Sequence, residues 1–135
     1  MARDALTVTT LTPNGGVLQP AAQTLTQANG QSIAIPATKI PSSPDIDSML
    51  LIVANTAAAP HNLIVRAGVG GGVTPGPAQR AGLGDLTVAI TNATTQWIGP
   101  LDPARFSQAD GSINLDEDAG FTGNIQVILM PTKWA

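Results

Sequence analysis

The sequence has no cysteine, no tyrosine, one histidine, two tryptophans and two phenylalanines among its 135 residues. Charge is scarce as well, at 11%, less than half the ~25% of ordinary soluble domains. Each shortage closes a class of function. Without Cys there are neither disulfides nor thiolate metal sites. A single imidazole cannot build a polyhistidine metal centre. A hydrolytic triad would have to be built on His61 alone, which stands in Ala59-Pro60-His61-Asn62 and reads as a solvated turn residue. The six cations Arg3, Lys39, Arg66, Arg80, Arg105 and Lys133 all stand more than ten positions apart. Neutralising a phosphate backbone needs clustered cations, so nucleic acid is not an expected partner. The longest apolar run, Met49–Ala54, has six residues, too few to span a bilayer. The N-terminus shows no apolar signal-peptide region. A soluble chain that meets no membrane is the expectation.

What is present is an apolar, turn-rich chain. Hydrophobic residues are 43%, with 14 Gly, 11 Pro and a net charge of −3. This is too apolar and too neutral for disorder, and the glycines lack the period of collagen. A surface this poor in charge must be neutral-polar, as the 15 threonines suggest, or be covered by a partner. The length fits one domain over residues 1–135.

Short apolar blocks alternate with turn signals. Leu6–Leu11 alternates loosely and ends at Pro13-Asn-Gly-Gly16, Gln31–Ile35 stops at Pro36, and Met49–Ala54 reads as a strand buried on both faces. Asn62–Ala67 follows a short Ala-Pro turn and is expected to pair with it as a hairpin. Further strands are read at Asp85–Ile90, Thr95–Ile98, Arg105–Gln108, Ser112–Leu115 and Asn124–Met130. Asp110-Gly111 is a hairpin-type turn, and Pro103–Phe106 has room for one helical turn. Eight or nine short strands with regular punctuation predict an all-β, single-domain β-sandwich or jelly-roll-like barrel. Residues 12–44 hold five prolines and read as either a long loop or an arm, with 1–20 as a possible extended arm. Residues 68–84 hold seven glycines and read as a mobile loop.

The sequence offers no catalytic, cofactor-binding or metal residues. Aligning Gly111 with the glycine of a calcium loop puts Asp110 and Glu117 in ligand places, but Phe106 would then fill the first. The Asp116-Glu117-Asp118 run therefore reads as a solvated turn. Gly68-Val-Gly-Gly-Gly72 lacks the Lys and the helix of a phosphate loop. Asn92-Ala-Thr94 is a sequon with no export signal behind it. Paired carboxylates for sugar hydrolysis lack aromatic platforms. The expectation is a protein that is not an enzyme.

The stretch from Thr95 to Leu115 is the most specific. A strand carries Trp97, a Gly99-Pro100 corner follows, and a turn leads to Phe106 and the Asp-Gly hairpin. Trp97 and Phe106 are the expected core anchors, since each buries a large area. The residues Trp97, Ile98, Gly99, Pro100, Ala104, Arg105, Phe106, Gln108, Asp110, Gly111 and Ser112 resemble a pattern in small all-β proteins of tailed bacteriophages. These are encoded beside the major capsid protein: Trp-Ile/Val-Gly-Pro, an Ala-Arg-Phe turn, then Gln-x-Asp-Gly-Ser. Gly120-Phe-Thr-Gly123 and Ile125–Pro131 resemble the last strand of that family, so the likeness covers about residues 48–131. It implies a head decoration (cement) protein on the outer surface of the capsid, with the major capsid protein as partner and a homotrimer as assembly. It transfers no catalytic or binding residue. Rival readings are a phage tail or head–tail structural protein and a carbohydrate-binding β-sandwich. The latter would need Trp97 and Trp134 on one open face.

Overall fold

A computed structural model of the protein describes residues 2–12, 14–34, 48–68, 84–101, 103–106, 108 and 112–130. In chain order the elements are β1 (Asp4–Leu6), β2 (Val8–Thr10), β3 (Gln23–Thr24), β4 (Gln31–Ile33), β5 (Ser48–Asn55), β6 (His61–Val65), β7 (Leu86–Ile90), β8 (Thr94–Leu101), α1 (Pro103–Phe106), β9 (Ile113–Glu117) and β10 (Gly123–Met130). Sheet I runs β1-β4-β9-β6-β7, and sheet II runs β2-β10-β5-β8 with β3 also paired to β10. Both sheets are mixed, because β1 lies parallel to β4 and β2 parallel to β10.

Side-chain alternation decides which faces meet. Leu63, Val65, Leu115 and Ile113 from sheet I share one buried cluster with Leu51, Val53, Ile125 and Val127 from sheet II. The protein is thus an all-β sandwich, with one four-residue helical turn among its described elements. Burying a Leu or Val side chain stabilises by roughly 1.5–3 kcal/mol, so this shared layer is the main force holding the sheets together.

The strand positions agree well with the alternation of the sequence, but the pairing does not. Met49–Ala54 and Asn62–Ala67 do not form a hairpin. β5 pairs with β10 and β8, while β6 pairs with β7 and β9 in the other sheet. The crossing is held by Asn55, which is 1% exposed. Its Nδ2 donates to the carbonyls of Ala59 and Ile90 at 3.0 and 2.9 Å, and its Oδ1 accepts from the Ala57 amide at 2.9 Å. Nor is β5 buried on both faces: Met49, Leu51 and Val53 are buried, and Leu50, Ile52 and Ala54 are half-buried. Arg105 and Phe106 lie in the helical turn rather than in a strand.

The N-terminal stretch also departs from expectation. Residues 4–10 are sewn into both sheets, switching from sheet I to sheet II at Thr7. The Gln23 side chain satisfies the backbone there, accepting from the Thr7 amide at 2.7 Å and donating to its carbonyl at 2.9 Å. Only beyond Thr10 does the chain run exposed, with Leu18 at 91% exposure and Pro20 anchored through its carbonyl to Gln126 Nε2 at 2.5 Å. The glycine-rich residues 69–83, residues 35–47, the Asp110-Gly111 turn and Trp134 lie outside the described residues.

Two glycines of the resemblance stretch have steric reasons. A Cβ on Gly99, whose φ is 137°, would stand 2.8 Å from the Met49 carbonyl oxygen, where the β5–β8 register shifts. A Cβ on Gly123 would collide with the carbonyl oxygen of Ala54.

Candidate functional site

The described charges are segregated. Arg3, Asp4, Arg66, Asp85, Arg105, Asp116, Glu117 and Asp118 all belong to the strands of sheet I, their flanks or α1. The five strands of sheet II contain no charged residue.

On sheet I the charges neutralise one another. Arg3 forks onto Asp116 at 2.7 and 3.2 Å and also donates to the Leu115 carbonyl. Arg66 reaches Asp116 through Nε at 2.5 Å and Asp85 through Nη1 at 2.8 Å. Burial alone would raise the Asp116 carboxyl, but the two guanidiniums outweigh it and hold it below its ordinary range. The Ala67 amide, then Arg66, lowers Asp85 likewise. The chain of ion pairs ties the start of β1 to β9, β6 and β7, which is a structural duty. Every guanidinium in it faces a carboxylate, so it offers no free cation to an anionic ligand.

The acidic run is not a solvated turn. Asp116 and Glu117 lie in β9, where alternation turns Glu117 to the core beside Leu63. Glu117 is 6% exposed and neither carboxylate oxygen has a partner. Burial, reinforced by the Asp116 charge, pushes its carboxyl up to about 7. Gln31, diagonal to it across β4 and β9, is fully buried and also has an unpartnered oxygen, Oε1. A carboxylate adds two more acceptors to this part of the core, whereas the neutral acid adds a donor. The repeat Ile113, Leu115, Glu117 was the available signal: period two places the acid on the core face. Among the described residues no three His, Asp or Glu side chains gather as a metal set.

His61 pairs its Nδ1 with Asp118 Oδ1 at 2.8 Å, and Asp118 Oδ2 accepts the Asn62 amide at 3.0 Å. Phe121 meets the imidazole edge-on, with centroids 6.2 Å apart. This is the base-and-orienter half of a triad. The pair instead fastens the β6 and β9 ends.

Sheet II carries the surface that stands out. Phe106 is 2% exposed and is a core anchor, as expected; Trp97 is not, being 68% exposed. The pairing explains why. Ile98 is opposite Leu51, which fixes Ile98 inward, and its neighbour Trp97 then pairs with Ile52 on the outer face. Across that face stand Gln126 beside Ile52 and Ile128 beside Leu50. The result is a neutral face of Trp97, Ile52, Leu50, Thr95 and amide groups, without a charge among its described strands. No family model, no curated protein and no solved structure matches this chain.

Proposed function

We propose that the chain is a structural virion protein that binds the outer surface of a bacteriophage capsid and cements neighbouring major capsid subunits. The observation that carries this reading is the exposure of Trp97. The tryptophan of the resemblance stretch stands on the outer face of an uncharged sheet instead of filling the core. Interface cores are depleted of charge and enriched in Trp, and buried Trp side chains recur among binding hot spots. Each contact on a shell can be modest, since a lattice of copies supplies avidity. Bound copies then stabilise the assembled shell by mass action. On this reading the protein acts without catalysis, as a homotrimer on the virion surface, and is assembled in the host cytoplasm.

Electron microscopy of particles with and without the protein tests the reading. Density on the outside of the shell, lost with Trp97→Ala while the isolated variant melts like the parent, is the expected result. Particles that carry the protein in the tail, or not at all, would refute it. The exposed Trp97 ring also favours a second reading, stacking on a neutral glycan. Retention on a glycan array by the isolated protein, lost in Trp97→Ala, would select it.

A further inference from the structure

Among the described residues, one lateral side of the sandwich is unpaired. On the other side the sheets end in short strands, three residues each in β1 and β2 and two in β3. Brevity is a common guard against edge pairing, as are charge, proline and bulges. On the open side β7 has five residues and β8 eight, and neither contains a charged residue. The register shift near Gly99 and Pro100 guards only the far end of β8. Among the described loop hydrogen bonds, none reaches the outer edge of Leu86–Ala89 or Thr94–Ile98.

We propose that the β7 and β8 edges pair with the same two edges of a second copy about a two-fold axis, so that both sheets continue across the contact. The occupant follows from the geometry. The two open edges are stacked one sheet spacing apart, ~10 Å in a sandwich. A single extended peptide fills one and leaves the other bare, whereas a second copy presents two edges at the same spacing.

Val88 and Gln96 stand equally far from the connection at residues 91–93 that joins β7 to β8. A two-fold axis along the sheet normal therefore passes both, and the paired strands run antiparallel. Centred there, Thr95 faces Trp97 of the other copy, twice, a β-branched–aromatic pair of the stabilising kind. Asp85 falls opposite Thr91, so no like charges meet. One edge pairing is a small contact, and two stacked ones bring it toward the ~1,200 Å² of a specific interface. The contact uses strand edges and goes beyond the capsid-docking reading, which can fail without affecting it.

Sedimentation of the full chain over a wide concentration range is the test. An even-numbered association is expected, as dimers or as trimers joined in pairs through this contact, weakened about tenfold or more when Thr87→Lys and Thr95→Lys add charge to both edges. Because the chain has no native cysteine, Gln96→Cys offers a second reading. It should oxidise to a covalent dimer, while Thr24→Cys on the opposite side should not. A monomer at every concentration would overturn the proposal. So would a trimer indifferent to the lysines, or cross-linking of Gln96→Cys no faster than that of Thr24→Cys.

Discussion

Replacing Glu117 with Gln should stabilise the protein at neutral and alkaline pH and leave it nearly unchanged in mild acid. The carboxyl rises from 4.5 in the free side chain to about 7 in the fold. Between those values the folded state holds a proton that the unfolded state has released, so stability falls as pH rises through the window and levels off above it. At 1.36 kcal/mol per unit the full penalty is at most ~3 kcal/mol. Gln keeps the shape of the side chain, removes the buried charge and adds an amide donor to a part of the core where Gln31 Oε1 has no partner. For a domain of this size that ceiling corresponds to a melting temperature higher by at most roughly 10 °C at pH 8. Thermal melts of both proteins from pH 4.5 to 8.5 read it directly. The lowered Asp116 and Asp85 act with the opposite sign and lose their contribution below pH 4, outside the window. Other groups cancel in the difference between variant and parent. If that difference is flat across pH 4.5–7, or negative at pH 8, Glu117 is not a buried, unpartnered acid and the reasoning is wrong.

Trp97→Ala should cost under ~1 kcal/mol in denaturant melts, as exposed substitutions do, and Phe106→Ala ~3–5 kcal/mol, as large core truncations do. Similar costs for the two would contradict the assignment of Trp97 to the outer face. Asn55→Ala should cost about 2–3 kcal/mol, because the Ala59 and Ile90 carbonyls and the Ala57 amide lose their partner together; urea unfolding measures it, and a loss below ~0.5 kcal/mol would show that water replaces the side chain. Deleting residues 1–12 removes β1 and β2 from both sheets and should abolish the cooperative melt; a truncated chain that melts like the parent would restore the idea of a detachable arm.

Strand positions were legible because alternation and turn residues are local. β4, β7, β9 and β10 stand within a residue or two of where the pattern puts them. Partners were less legible, because they depend on where a connection crosses. Residues 56–60 between β5 and β6 are short enough for a hairpin, yet the Asn55 side chain turns them into an arch between sheets. Trp97 and Ile98 are adjacent, so one of them must face outward. The choice is made by Leu51 and Ile52 across the ladder, and nothing within β8 reveals it. Glu117 was legible in principle. Its place in the Ile113, Leu115, Glu117 repeat outweighed its place in an acidic triplet, since a strand's period is set by the backbone and cannot be suspended for one residue.

The segregation of charge gives the low charge content a mechanical meaning. Were the few charges spread evenly, each sheet would carry some, and neither outer face would differ from an ordinary surface. Instead the described ones gather on sheet I and pair off there, where Arg3, Arg66, Asp85 and Asp116 bind β1, β6, β7 and β9 together. Surface ion pairs contribute little one at a time, but a network sharing Asp116 adds order to the sheet that also holds the uncompensated Glu117. Among the described residues sheet II has no such network, and its strands stay neutral with an exposed Trp. A protein that needed only solubility would gain nothing from that division, because mixed charge on both faces keeps a domain soluble more effectively. A protein that must lie flat against a neighbour gains from it: desolvating Thr, amide and aromatic groups costs far less than desolvating unpaired ions. Placing a Lys at Thr95 therefore tests the docking role of the face more sharply than trimming Trp97, since it adds an ion to be buried rather than only removing apolar area.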